Sequence, residues 1–277
     1  MFKYIDEDIV NMRKDDGNEA QFYWGDKVEI IDQSEAGMRV AVHGARGEVA
    51  SGTISAKTRL RDDGLLRLSM VDVQQGDGLI LETPSGRVMF IDGGDNQLFA
   101  RHANARFPDT SEDDPLIVDL MLITHGDADH FDGLNELRAS ETDSRPGKRI
   151  FVAPRRVYHN GLVKRPGTAA GKRKRPDRGM FGPTVERDGT TYATGLVDDP
   201  AAVAPAERNA KFDAWVRTLD AWEDRVRRVT GSGIERRRLD HRSTDAFGFL
   251  EDEGVSVELL GPIVDDVDGA PVPPQAA

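Results

Sequence analysis

The chain has 277 residues, a formal net charge of −12 and no cysteine. That length allows one large domain or two modest ones, and the missing thiols exclude disulfide scaffolding and thiolate zinc sites. The acidic balance disfavours a protein that binds nucleic acid over its whole surface, leaving only local basic patches for that purpose. The N-terminal residues lack the apolar core of a signal peptide, and no run approaches the roughly 18 apolar residues that span a bilayer; a soluble, cytoplasmic protein is the expectation.

Residues 1–20 are polar and read as a lead-in. From Phe22 onward, short alternating segments at Asp26–Ile31, Met38–Val42 and Gly44–Gly52, separated by glycine-containing turns, predict a small β-unit. The Gly25-Asp26-Lys27-Val28-Glu29-Ile30 strand followed by short hairpins resembles bacterial SH3-type barrels. One domain is therefore expected over 1–62, either as a partner-binding module through residues 22–62 or as an accessory unit packed on the main domain. A charged boundary at Arg59–Gly64 precedes strands at Leu65–Val73, Asp77–Glu82 and Arg87–Ile91, the last two joined by a Thr-Pro-Ser-Gly turn. Asp72 interrupts an apolar strand; it either orients a site from behind or is a strand-end carboxylate satisfied by backbone amides. A short helix is predicted within Asp95–Arg106. His102 on it reads as a surface residue.

The stretch that concentrates chemistry lies at 120–133. A strand is expected over Leu116–Ile123, its apolar run Leu120–Ile123 buried, and Leu134 and Leu137 begin the helical period of a helix at Phe131–Arg138. Between them stand His125, Asp127, Asp129 and His130, two imidazoles and two carboxylates within six residues. Such a donor set suits Zn, Mn or Fe, and alternate side chains of the turn are suited to two neighbouring ions. A plainer role is also open, with Asp129 as a helix N-cap.

This pattern resembles the His-x-His-x-Asp-His signature of the metallo-β-lactamase superfamily, with Asp127 in the second histidine's place, as in the competence-type, DNA-uptake branch. Val71-Asp72-Val73-Gln74-Gln75-Gly76-Asp77 is similar to that branch's Asp-Val-Gly-Gln-Gly-Asp hairpin, with Gln74 replacing a glycine. Val88–Gly94 matches the early strand ending in Asp-Gly-Gly. The resemblance spans about residues 66–138 and implies an α/β fold, the first half of an αββα sandwich over 65–262, with two divalent ions (Zn or Mn) as cofactors. It pairs His125 with Asp127 on one ion and Asp129 with His130 on the other. Asp129 is also the candidate catalytic carboxylate, and Asp92 and Asp72 support the ligands from behind. The family's later ligands, a Thr-Gly-Asp aspartate and a late histidine, have no counterpart; His159 and His241 do not sit after a strand in a matching context. A C-terminal half, as a split or cleaved partner chain, is expected to complete the site.

After a strand at Arg149–Pro154, residues 154–254 read as a long helical and basic insertion. Its basic run includes Lys172, Arg173, Lys174 and Arg175, candidates for holding a nucleic-acid backbone, or a solvated loop. Apolar residues from Phe212 to Val229 recur at helical spacing within 206–230, with the tryptophans Trp215 and Trp222 read as core. Arg236–Arg238 forms a second basic cluster. Val255–Pro262 predicts a final strand, resembling the one that opens the second half of the competence-type fold, and 263–277 a disordered linker. The leading functional expectation is a metal-dependent phosphodiesterase or nuclease. A non-catalytic regulatory or binding module with a degenerate site, and a metal-dependent esterase or lactonase, are the alternatives.

Overall fold

A computed structural model describes residues 1–43, 49–166, 168–169, 173–174 and 182–274. The first unit holds β1 (Phe2–Ile5), β2 (Ile9–Lys14), β3 (Glu19–Tyr23), β4 (Lys27–Ser34), β5 (Gly37–His43), β6 (Val49–Ile54) and β7 (Leu60–Arg61). Alternation in β2 buries Val10 and Met12 and exposes Ile9 and Asn11, as a strand with one covered face requires. The seven strands form one antiparallel sheet in the order β3-β2-β6-β5-β4-β1-β7. It curls around its own core of Ile5, Val10, Met12, Phe22, Val28, Met38, Val40 and Ile54. Two expectations change here. Residues 1–20 are no lead-in: they supply three strands, and Ile5 is wholly buried. Among the described residues the sheet is a half-barrel with unpaired edges at β3 and β7, not a closed SH3-like barrel. Gly44–Glu48 of the expected Gly44–Gly52 segment lies outside the described residues.

The second unit is mixed α/β. Its strands are β8 (Arg67–Met70), β9 (Gly78–Glu82), β10 (Val88–Asp92), β11 (Leu116–Val118), β12 (Leu120–Ile123), β13 (Val152–Pro154) and β14 (Arg156–His159). The short pair β15 (Thr168–Ala169) and β16 (Arg173–Lys174), the hairpin β17 (Thr184–Arg187) and β18 (Thr190–Ala193), then β19 (Glu235–Arg238), β20 (Asp265–Val267) and β21 (Ala270–Val272) follow. The helices are α1 (Leu98–Arg106), α2 (Ala128–Ser140) and α3 (Ala210–Thr230). No helix among the described residues is long and apolar enough to cross a membrane.

The main sheet runs β19-β14-β12-β10-β9-β8. β10, β12, β14 and β19 are parallel, and β8 and β9 continue antiparallel. Burial of both faces explains the unbroken apolar runs of β10 and β12. Phe90, Met121, Ile123 and Val157 enter the helix-side core with Phe99, Leu134, Leu137, Trp215, Leu219 and Trp222. Their neighbours Met89, Leu120 and Tyr158 point the other way, against Leu239, Ala246, Phe247 and Leu250. A second sheet, which the expected sandwich would place on that face, is not found among the described residues; a 3-10 turn at Gly248–Glu253 and its flanks cover part of it. Leu68 and Met70 on the edge strand β8 stay exposed, as do Leu260 and Ile263.

Four more expectations are corrected. The 116–123 strand is broken at Asp119, whose backbone N–H bonds to the Val88 carbonyl and whose carboxylate accepts from the Val88 N–H; β11 pairs instead with β13. The segment 154–254 is no insertion, because it supplies β14 and β19 to the sheet and α3 to its helical layer. Val255–Pro262 lies outside any ladder, although Val255 and Leu259 pack on the sheet. The linker is ordered through 274: β20 and β21 form a hairpin with Asp268-Gly269 at its tip, both at positive φ, as a two-residue hairpin loop favours. Arg187 and Arg242 pair with Asp268 and Asp266, and Val264 and Val272 are buried. Residues 275–277 lie outside the described set.

α3 is capped by the Asn209 carboxamide, which accepts from the Phe212 N–H, and ends at Gly231 with φ 80°. Its inward face anchors a buried ion pair. Arg225 donates twice to Glu141, at 2.7 and 2.9 Å, and Trp222 Nε1 adds a bond of 2.9 Å to the same carboxylate. Arg225 and Glu141 side chains are each 5% exposed. Glu141 caps the C-terminal end of α2, so this network fastens the far end of that helix to α3. Removing one member of a buried pair strands the other's charge; Glu141→Ala is expected to cost about 3–5 kcal/mol, read by urea denaturation.

The half-exposed Glu112 joins from the rim, and hydrogen bonding from Arg225 is the main force lowering its carboxyl to about 2. A depressed carboxyl contributes stability that is complete above the unfolded-state value and is lost as pH falls toward the folded one. Melting temperatures should therefore separate wild type from Glu112→Gln at pH 6, and the gap should close between about pH 4.5 and 2. A gap independent of pH would show that the charge is not what Glu112 contributes.

Candidate metal centre

Parallel pairing puts the C-terminal ends of β10 and β12 side by side, and the loops leaving them form the site. β10 ends on Asp92, a non-glycine residue with φ 55° and 1% exposure. Its carboxylate is held from three directions. Oδ1 accepts from the Thr124 N–H at 2.8 Å, and Oδ2 accepts from the Thr124 hydroxyl at 2.6 Å and from His130 Nδ1 at 2.7 Å. These bonds offset the penalty of burying a charge and set the imidazole tautomer: with the proton on Nδ1, Nε2 keeps its lone pair. His125 Nδ1 lies 3.2 Å from Thr124 Oγ1. Because that hydroxyl donates to Asp92, the ring nitrogen is the donor, and His125 likewise presents a bare Nε2. The two rings lie 3.8 Å apart between centroids. An imidazole backed by a carboxylate, its far nitrogen free, is the usual posture of a metal-ligating histidine.

α2 begins at Ala128, earlier than the helix expected from Phe131, so Asp129 and His130 occupy its first turn and Asp127 its N-cap position. Asp127 makes no side-chain cap bond. Its carboxylate is paired with Lys164, whose hydrogen bond is the main reason the Asp127 carboxyl lies below the ordinary range. His125 Nε2 is 3.9 Å from the other Asp127 oxygen.

A second loop closes on this turn. Residues 71–78 double back through Gln74 (φ 68°) and Gly76 (φ 81°), bringing the Asp77 carboxylate to 3.9 Å from His130 Nδ1. Glycine is required where this loop meets α2: a Cβ on Gly76 would fall 1.6 Å from the Asp129 carbonyl oxygen. Across the site, a Cβ on Gly133 would fall 1.8 Å from the Gly93 carbonyl oxygen. Backbone bonds run from Gly93 N–H to His130, from Gly94 N–H to Asp77 and from Gly133 N–H to Gly94.

Among the described residues, one group of three or more metal-type donors lies within 4.8 Å: Asp77, Asp92 and His130. Of the four expected ligands the structure thus gathers His130, with the His125 ring tilted beside it, while Asp127 faces Lys164 and Asp129 is not part of the group. Asp77 was the member missed, although it closes the hairpin motif that the sequence displays. Asp92, expected behind the ligands, bonds to His130 Nδ1 and is itself one of the three grouped donors. Asp72 does not: β8 ends at Met70, and the exposed Asp72 carboxylate accepts from the Gln74 N–H at 3.0 Å, forming the turn. The donors present, imidazole and carboxylate with one imidazole backed by a buried carboxylate, fit a divalent ion such as Zn or Mn.

His159 does end a strand, contrary to expectation, and pairs in register with Ile123. Its ring is nevertheless consumed. Nδ1 accepts from the Gly161 N–H and Nε2 donates to the Asp198 carbonyl, while burial pushes its pKa down. It is a satisfied core histidine. His241 accepts a bond from the Val264 N–H in the last turn region.

Much of the basic surface is neutralised locally. Arg156 pairs with Glu235, Arg165 with Glu207, Arg236 with Asp199 and Asp220, Arg237 with Asp245, and Arg238 with Asp198. Lys172 and Arg175 lie outside the described residues; Arg173 and Lys174 are placed only as backbone of β16, paired with β15.

Comparison with protein-family models, with curated proteins and with solved structures yields no match.

Alanine normally stabilises a helix interior over glycine by about 1 kcal/mol. At Gly133 the sign should reverse, because the new methyl must push the Asp92–Gly94 corner away from α2, an overpacking cost of about 1–3 kcal/mol. Urea denaturation of Gly133→Ala checks this; a stabilised variant would mean that α2 and β10 are not in this contact.

Proposed function

We propose that this chain carries the metal site of a metal-dependent hydrolase that cleaves phosphodiesters, nucleic acid being the favoured substrate, and that it is related to the competence-type branch of the metallo-β-lactamase superfamily. The observation that carries the reading is the Asp92–His130 pair, in which a buried carboxylate aims an imidazole into a loop cluster containing Asp77 and His125. The 71–78 hairpin supports it: Gln74, standing where the resembled motif has glycine, adopts a positive φ, and Gly76 abuts the metal turn. His130 and His125 would hold the ion through Nε2, with Asp92 behind His130 and the Asp77 carboxylate near the Nδ1 edge of the same ring. A bound divalent ion supplies Lewis acidity toward a phosphoryl oxygen and activates water for attack. The chain's own part is to keep both imidazoles in the ligating tautomer. The exposed apolar strip of Leu68 and Met70 on the free edge of β8 is the surface we assign to a complementing segment that brings further donors. The Lys172–Arg175 run is the sequence feature that favours a polyanionic substrate.

The test begins with metal. Asp92→Asn is expected to weaken Mn or Zn binding by about 10–100-fold, and His130→Ala to abolish it, measured by equilibrium dialysis of the full chain. Metal-loaded protein should then cleave bis(p-nitrophenyl) phosphate or DNA. Unchanged metal affinity in both variants would remove the site, and cleavage of a carboxylic ester with none of a phosphodiester would replace the substrate class.

A further inference from the structure

We infer that the Lys164 ammonium is a built-in counter-ion that occupies the Asp127 side of the centre, so that the chain binds one divalent ion, on the His130–Asp77 side, and not two. This rests on the chain being a metal-dependent hydrolase of the kind proposed above.

The sequence pattern of the 125–130 turn suits two cations, with Asp127 a ligand for one. In the structure the Asp127 carboxylate is already engaged by Lys164. Asp127 is also the N-cap residue of α2, where a carboxylate ordinarily turns back to accept a backbone N–H; here it makes no such bond and faces the lysine instead.

The lysine is not a chance visitor from a loose surface arm. Its side chain is 19% exposed against 50% for Asp127. Its backbone carbonyl accepts from the N–H of Asn209, the residue that caps α3. Two residues earlier, the Leu162 carbonyl lies 3.3 Å from where a Cβ on Gly126 would stand. The 162–164 segment is therefore laid along the metal turn and tied to the helix layer by a main-chain bond that does not depend on the lysine side chain.

A tethered cation competes at a high effective concentration without a loss of translational freedom. It also repels a dication placed beside the same carboxylate. His125, with Nε2 at 3.9 Å from Asp127, lies between the two halves of the centre, so the fixed positive charge divides a potential two-ion site into one ion and one lysine.

The experiment is a Mn titration of the full-length chain by calorimetry, with bound metal counted after dialysis. Wild type is expected to bind one equivalent. Lys164→Met, which keeps the apolar stem, is expected to gain a second equivalent, whereas Lys164→Arg stays at one. Asp127→Asn should keep the first ion's affinity within about threefold, which also tests the idea should Lys164→Met fail to fold. Two equivalents in wild type, one in both wild type and Lys164→Met, or a tenfold loss of the first ion in Asp127→Asn would each overturn the inference while leaving a metal-dependent hydrolase in place. No binding by wild type would overturn both.

Discussion

A single buried carboxylate holds the centre together. Asp92 ends β10 in a left-handed conformation that costs an ordinary residue about 1–3 kcal/mol, and its charge is 1% exposed. Left unpartnered, a carboxylate in that position would be neutralised or would unfold the corner. It persists because β12, its parallel neighbour, delivers both polar groups of Thr124, and because the first turn of α2 delivers His130. The same three bonds that make the corner stable give both imidazoles their tautomers. Stability and chemistry are thus one arrangement here.

The rest of the second unit keeps α2 where that arrangement needs it. At its N-terminal end the helix is pressed against Gly76 on one side and Gly93 on the other, contacts that leave no room for a β-carbon. At its far end the Glu141–Arg225–Trp222 network ties it to α3. α3 in turn covers the sheet with Trp215, Leu219, Trp222 and Val226 and, through Asn209, fixes the segment bearing Lys164. A helix held at both ends lets a turn rich in like charges stay ordered, with Lys164 and the His130 ring supplying the opposing groups for Asp127 and Asp92.

Charge is organised differently from what the net value of −12 suggests. The arginines of β19 and its surroundings are paired with acids from neighbouring segments, so they serve as fasteners between layers more than as an open cationic surface. A parallel strand carrying three consecutive arginines is tolerable because carboxylates from the 198–199 loop, α3 and the 245 turn meet them. Polyanion recognition, in the proposed function, falls to the 172–175 run.

The amino-acid sequence by itself determined the elements whose signal is local. β10 and β12 are written in apolar runs, α3 in three-and-four spacing with an asparagine cap and a glycine stop, and the donor cluster in six residues around Asp127. It also showed the hairpin containing Asp77, though nothing in the local pattern says that this loop returns to His130, because that approach is made by backbone bonds between residues far apart in the chain. Tertiary structure alone decided the remainder. The polar residues 1–20 become strands once β4, β6 and β7 offer them edges, and Asp72, apolar in its surroundings by sequence, is free to face solvent because β8 has already ended. His159 is spent inside the core by two backbone partners. Asp127 is claimed by Lys164, 37 residues away. Ligand-type side chains announce themselves in sequence by their chemistry, but which of them stays available depends on the partners that folding brings within hydrogen-bonding reach.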